Sequence, residues 1–147
     1  MARDAWRVDP GFELDEFLAR PLVARLATAG PRVRPVWFVW EDDCFWWLTG
    51  AWARLAKELA SDPRVEIVVD TCDLATGEVL QVRARGHAQI VPFDSERATR
   101  KFTRYLGAEA DHWDRRLAGT FDDPDTRFAR LQPDRLRARD LSFAVRR

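Results

Sequence analysis

The chain has 147 residues, enough for a single domain spanning 1–147 and too few for two separate cores. Hydrophobic residues make up 46 %, charged residues 33 %, and 24 basic side chains balance 24 acidic ones. That composition fits an ordinary soluble protein and argues against a nucleic-acid binder, whose affinity comes from a basic face.

The segment from Met1 to Pro10 mixes charges with Trp6 and carries no secretory signal. No run is long and apolar enough to span a bilayer, so no membrane association is expected and the cytoplasm is the expected compartment. A short helix is predicted from Gly11 to Ala19, with Phe12, Leu14, Phe17 and Leu18 inward and Pro21 ending it. Leu22–Ala29 reads as a strand, Gly30-Pro31 as a turn and Val33–Trp40 as a second strand. Glu41-Asp42-Asp43 closes a hairpin into a third strand, Cys44–Thr49. The second and third strands are apolar on both faces, which predicts a barrel core on one side and a partner subunit or ligand on the other. Trp52, Leu55, Ala56 and Leu59 then fall at helical spacing, ended by Asp62-Pro63. Val65, Ile67 and Val69 alternate in a fourth strand, and Thr76-Gly77 marks a turn in the polar connection Thr71–Glu78. A fifth strand from Val79 to Val91 sets Leu80, Val82, Ala84, Gly86, Ala88 and Ile90 against Gln81, Arg83, Arg85, His87 and Gln89. A helix over Ser95–Leu106 points Ala98, Phe102 and Tyr105 inward, with Gly107 just beyond it. The acidic stretch Ala108–Asp125 gives no clear pattern, and Arg127–Leu141 closes the chain as one or two strands interrupted at Pro133-Asp134. Runs of strands with few helices predict a mainly β barrel.

Four of the seven Trp lie between Trp37 and Trp47 and suit either core packing or a wall for a flat aromatic ligand. Arg54 and Lys57 open the helix after Thr49-Gly50, where unpaired N–H groups and two cations attract phosphate. Against this, Arg54 and Glu58 stand at i, i+4 and form an ordinary surface pair. The polar strand face around Gln81 is either a wet sheet side or an interface that hydrogen-bonds a heteroaromatic ring. His87 has no second His near it in sequence, and the Asp clusters at 111–114 and 122–125 lack the spacing of a metal loop, so no metal is expected. Cys44 and Cys72 are too few for a disulfide framework or a zinc site, and Cys44 reads as packing.

The succession LVARLAT, RPVWF, LTG, DPRV and VLQVRARGHAQIV, closed by RLQPDRLRARDLSF, resembles the pyridoxamine-phosphate-oxidase-like split barrels, including short actinobacterial members. The resemblance spans nearly the whole chain and implies a six-stranded antiparallel split β-barrel. It implies a homodimer with FMN at the interface, or alternatively a deazaflavin coenzyme. Arg34, Pro35, Val36, Trp37 and Phe38 match the strand along the flavin ring and ribityl chain. Thr49 matches a residue near the flavin, Arg54 matches the Arg of a Ser-Arg-Lys phosphate motif, and Gln81 matches a Gln that bonds the ring. Ala53 and Leu55 replace that Ser and Lys, with Lys57 a partial substitute. This departure leaves room for haem, another tetrapyrrole, or no cofactor. Val39 stands where true pyridoxamine-phosphate oxidases carry Lys, and their C-terminal Trp/Arg/His set is absent, so pyridoxal phosphate synthesis is not expected. The implied function is hydride transfer to or from a small organic substrate. The alternative is a non-catalytic carrier of a cofactor or tetrapyrrole on the same barrel. A nucleic-acid accessory role through Arg135, Arg137 and Arg139 is a third reading, set against the balanced charge.

Overall fold

Period-two alternation dominates the chain, and nine strands follow from it in the computed structural model, which describes residues 2–146. Met1 and Arg147, the ends of the 1–147 domain, lie outside the described residues. In chain order the elements are β1 (Trp6–Val8), α1 (Leu14–Leu18), β2 (Ala24–Thr28), β3 (Arg32–Val36), β4 (Val39–Glu41) and β5 (Cys44–Thr49). Then come α2 (Leu55–Ser61), β6 (Arg64–Asp70), β7 (Leu80–Pro92), α3 (Ser95–Leu106), α4 (Arg115–Ala118), β8 (Arg127–Leu131) and β9 (Arg135–Asp140).

The strand order is β3-β2-β6-β7-β8-β5-β4, with β9 beside β7 and β1 parallel to β9. The 13-residue β7 organises this curled sheet. Leu80–Arg85 pairs with β9 and Gln81–His87 with β6, whereas Ala88–Pro92 pairs with β8. One strand thus belongs to both halves of the split barrel, as the mainly β expectation requires. The alternation of β7 also changes where the halves meet: Val82, Ala84 and Ala88 are buried, but Ile90 is exposed.

Nine strands replace the expected six for three reasons. Val33–Trp40 is broken at Trp37-Phe38, Arg127–Leu141 is two strands around Pro133-Asp134, and the N-terminal segment supplies β1. Nothing apolar announces β1. It is held by register with Leu136–Ala138 and by the Trp6 indole, which donates to the Pro133 carbonyl at 3.2 Å. The hairpin between β4 and β5 turns on Asp42 and Asp43, both at positive φ (55° and 58°), as a tight primed turn demands.

The barrel interior holds Leu26, Phe38, Phe45, Trp47, Ile67, Val69, Val82, Leu131 and Ala138. The opposite face of β4 and β5 carries Val39, Cys44 and Trp46, which pack with Ala98, Phe128, Phe93 and Phe121 beneath α3. The second apolar face is therefore covered in part by the chain's own helix, with Leu48 on the same face of β5 only partly buried. Asp94 caps α3 by accepting the Glu96 and Arg97 N–H groups. Arg97 lies 3.5 Å above the Trp46 ring and, with Arg100, binds Glu41 at 2.8 and 2.6 Å. Burial at Cys44 pushes its thiol up, so it serves as packing. Among the described residues no helix is long and apolar enough to cross a membrane.

Candidate functional site

A cleft of about 750 Å³ opens where the break between β3 and β4 meets β5, α3 and α4. Pro35, Val36 and Trp37 form one wall, Leu48 and Trp52 the floor, and Lys101, Phe102, Arg115 and Leu117 the far side. The break itself is built by Tyr105. Its hydroxyl donates to the Leu22 carbonyl at 2.6 Å and accepts the Phe38 N–H at 3.1 Å. Its ring lies parallel to Trp37, with centroids 4.5 Å apart and planes 2° apart. One side chain of α3 therefore ends β3 and fixes the indole that walls the cleft. Burial pushes the Tyr105 phenol up, which keeps it protonated as a donor.

Trp52 was expected on the inner face of a helix, but α2 begins only at Leu55 and Trp52 is 55 % exposed. Its ring lies across Gly50, where a Cβ would overlap it. Glycine at 50 thus lets this indole fold back onto the cleft floor.

The cleft leads along β3 to a cluster of cations. Arg34 shares a strand face with Val36 and donates to Glu58 on α2 at 2.6 Å and to the Thr28 hydroxyl at 2.9 Å. Arg32 reaches the same carboxylate at 3.3 Å. Burial alone would raise the Glu58 carboxyl, but the Arg34 bond and the charges of Arg34 and Arg32 outweigh it and hold the group low. Arg54 does not pair with Glu58, because strand arginines have taken that acid. Arg54 and Lys57 stand exposed, with no ion pair to any other described residue. Two free cations beside an Arg32–Glu58–Arg34 cluster leave this end of the molecule positive. As α2 is only seven residues long, any grip on an anion here rests on side chains and not on a helix dipole.

The expected site residues thus divide into groups. Pro35, Val36 and Trp37 line the cleft, whereas Arg34, Arg54 and Lys57 lie outside its lining, Arg34 further along β3 and bonded to Glu58 of α2, Arg54 and Lys57 at the start of α2. Phe38 is fully buried, and its N–H and carbonyl are both engaged, by Tyr105 and Arg104. Thr49 faces the barrel interior on the opposite side of β5 from Leu48, and its Oγ1 is buried without a hydrogen-bond partner. Val39 is fully buried under α3 and carries no site chemistry. Leu55, in place of a phosphate-binding Lys, is turned into the core.

Gln81 lies apart from these, on the outer face of β7. Register places it beside Asp70 and Arg139, in a row next to Val68, Arg83 and Arg137. Three strand spacings, about 14 Å, separate β7 from β3. The groove around Gln81, about 800 Å³, collects Arg7, Arg83, Arg85, Arg135, Arg137 and Arg139. Glu66 and Asp9 offset two of these, binding Arg83 and Arg137 at 2.8 Å each. His87 sits on the same face, 3.2 Å from Asp134, with both side chains exposed.

Several residues of the cleft escaped sequence reasoning, among them Arg115, Arg116 and, most deeply set, Lys101. Lys101 is only 5 % exposed, yet it points between apolar walls. Its place three residues after Ala98 and four before Tyr105, both inward positions, was the available signal.

The arrangement suits a planar ring carrying an acidic tail: an apolar wall of ring width in the cleft and free cations on the neighbouring α2, whereas the unsatisfied Thr49 hydroxyl faces the barrel interior and takes no part. A sequence profile described as pyridoxamine 5'-phosphate oxidase matches residues 12–140. No curated protein matches. Among solved structures, the fold is shared with a conserved hypothetical protein of Mycobacterium tuberculosis. The TM-score is 0.72 and the identity 22 %, covering 91 % of this chain and 86 % of that one. The haem storage protein HutZ of Vibrio cholerae follows at TM-score 0.62 and 23 % identity, covering 86 % of this chain and 90 % of that one. An F420 reductase, at TM-score 0.58 and 22 % identity, covers 88 % of this chain and 98 % of that one. The family match spans most of the chain, so the protein belongs to the pyridoxamine 5'-phosphate oxidase family, with the split-barrel fold.

Proposed function

From that membership, we propose that the protein is an oxidoreductase that holds FMN, or alternatively a deazaflavin coenzyme, and serves hydride transfer to or from a small organic substrate in the cytoplasm. The observation that carries this reading is that β3 runs from the cleft walls Val36–Trp37 to Arg34, whose bond to Glu58 brings α2, with the unpaired Arg54 and Lys57 at its start, against the same strand. Such a sequence of surfaces matches a flat ring followed by a phosphate. A bound flavin supplies the hydride chemistry; the chain supplies binding and the electrostatic setting. Val36, Trp37 and Leu48 exclude water from the ring. Arg54, with Lys57, neutralises the phosphate, while Arg34 stays committed to Glu58 and sets the charge of that end at longer range. Buried Leu55 and the methyl of Ala53 add no phosphate contact, so Arg54 carries most of the phosphate affinity. The absent oxidase residues, with Val39 among them, argue for a substrate other than pyridoxamine phosphate.

The proposal includes a homodimer in which a second copy covers the outer sheet face, because Gln81 reaches a cofactor on β3 only across an interface. Sedimentation of the purified chain tests this: a monomer at micromolar concentration removes Gln81 from the site.

A second reading, a carrier that binds haem or another tetrapyrrole without turnover, has its own support. The fold is shared with HutZ, and two phosphate-binding positions are Ala53 and Leu55. Titration with FMN, the deazaflavin coenzyme and haem, followed by visible absorbance, separates the two. Saturable flavin binding that bleaches with a hydride donor and weakens about tenfold in Arg54→Ala supports the enzyme, a charge-assisted contact being worth roughly 1.5–3 kcal/mol. Haem binding alone supports the carrier. If none binds at micromolar concentration, the oxidoreductase reading is abandoned.

A further inference from the structure

Of the charged side chains that line the cleft, Lys101, Arg115, Arg116 and Asp123, Lys101 is the most deeply buried. It lies on α3, 95 % hidden, yet forms no hydrogen bond or ion pair with any described residue. Its recorded electrostatic contact is the Phe102 ring, 5.2 Å away. Burial without a partner is costly for an ammonium group and is tolerated where a ligand completes the pairing. Burial in the cleft pushes its titration down, to about 8.

The surroundings define what such a ligand must be. The walls are Val36, Trp37, Leu48, Trp52 and Phe102, a flat and largely aromatic enclosure. Arg115 and Arg116 join Lys101 on the far side, with Asp123 the acid of the lining. Asp114, outside the cleft, already binds Arg116 at 3.3 Å. A neutral molecule would leave the ammonium unpaired, and a cation would be repelled. A long flexible polyanion would not fill the apolar walls.

We propose that this cleft is a substrate pocket for a small planar apolar molecule bearing a single anionic group, such as an aromatic carboxylate, with Lys101 receiving the anion. The assignment rests on the cofactor reading above: the ring takes the Val36–Trp37 wall, and the substrate takes the α3 side of the same cleft, where Lys101 lies. Binding of the anion itself needs no flavin.

The test uses the purified chain without added cofactor and two fluorescent probes of similar shape: anilinonaphthalene sulfonate, which is anionic, and uncharged phenylnaphthylamine. The wild type is expected to bind the anionic probe at least about tenfold more tightly than the neutral one, as one buried charge-assisted bond implies. Lys101→Met should bring the two affinities to within about twofold, leaving the neutral probe nearly unchanged, because Met conserves volume. Naphthoate should displace the anionic probe from the wild type, and naphthalenemethanol should do so much less well. Equal preference in Lys101→Met and wild type overturns the assignment, as does failure of the wild type to bind either probe. If Lys101→Met loses the neutral probe too, Lys101→Gln reads the same ratio with a polar side chain, and an unchanged ratio there again overturns the proposal. Flavin titration is a separate measurement, so loss of probe preference and loss of cofactor binding are told apart.

Discussion

Replacing Lys101 by Met should make the protein more stable. The lysine is buried without a partner, and desolvation takes its titration from an ordinary 10.5 to about 8. At about 1.4 kcal/mol for each pH unit, the charged form is disfavoured in the folded chain by about 3 kcal/mol. At pH 7 the ammonium is protonated both folded and unfolded, so the whole penalty is present. Met removes it and keeps an unbranched side chain of similar volume in the same place. For a chain this long, about 3 kcal/mol corresponds to a rise in Tm of roughly 6–12 °C, an upper bound because Met loses side-chain entropy. The pH dependence gives a sharper signature. Between about 8 and 10.5 the unfolded lysine holds a proton that the folded one has released, so wild-type stability rises with pH across that window. Above it both states are neutral and the advantage of Met disappears. Urea and thermal denaturation of both proteins from about pH 6 to pH 11 measure the gap directly. A gap that is absent at pH 7, or constant across the window, would refute the claim that Lys101 is an uncompensated charge. Met is then the more stable residue and Lys the one that binds an anion, the usual trade between stability and function.

The other predictions concern the cationic end and the strand break. Arg54→Ala should leave the Tm within about 1 °C, because an exposed, unpaired side chain contributes little to folding, while weakening FMN binding about tenfold. Glu58→Gln should cost about 1–2 kcal/mol by denaturation, since Arg34 keeps only a neutral acceptor. Because the Glu58 titration is held low, its contribution is fully present above the ordinary value of 4.5 and is lost as pH falls through the folded value. The wild type and Glu58→Gln should therefore converge in stability as pH falls from 4.5 through the folded value, and a gap unchanged by acid would count against the cluster. Tyr105→Phe removes the hydroxyl that satisfies the Leu22 carbonyl and the Phe38 N–H, and should cost about 1–3 kcal/mol while raising hydrogen exchange at Phe38. An unchanged exchange rate there would show that the hydroxyl does not hold the break.

Much of the fold was legible in the sequence because it depends on local periodicity. Cys44–Thr49 and Ser95–Leu106 have their expected bounds, and the β7 alternation names its inner and outer faces correctly as far as Ala88. Turn chemistry at Gly77, with φ of 75°, and at Asp42-Asp43 was equally local. Long-range pairing was not legible. Nothing near Trp6 announces a strand, since its partner lies some 130 residues away, and nothing near Trp37 says that Tyr105 will end β3 there. The apolar second face of β4 and β5 indicated burial but not what buries it, because a partner subunit and a helix of the same chain impose the same pattern.

The site shows the same division more sharply. Sequence alone determined the residue types: aromatic strands, a pair of cations at 54 and 57, a polar face around Gln81 and the substitutions Ala53, Leu55 and Val39. Those follow from the linear order of side chains. Only the tertiary structure decided that strand arginines take Glu58 and leave Arg54 free, and that Gln81 lies three strands from β3. It also decided that Lys101 is buried without a partner in the cleft. The physical reason is that charge pairing and desolvation depend on which groups meet in space, and in a strand-rich fold those groups come from distant parts of the chain.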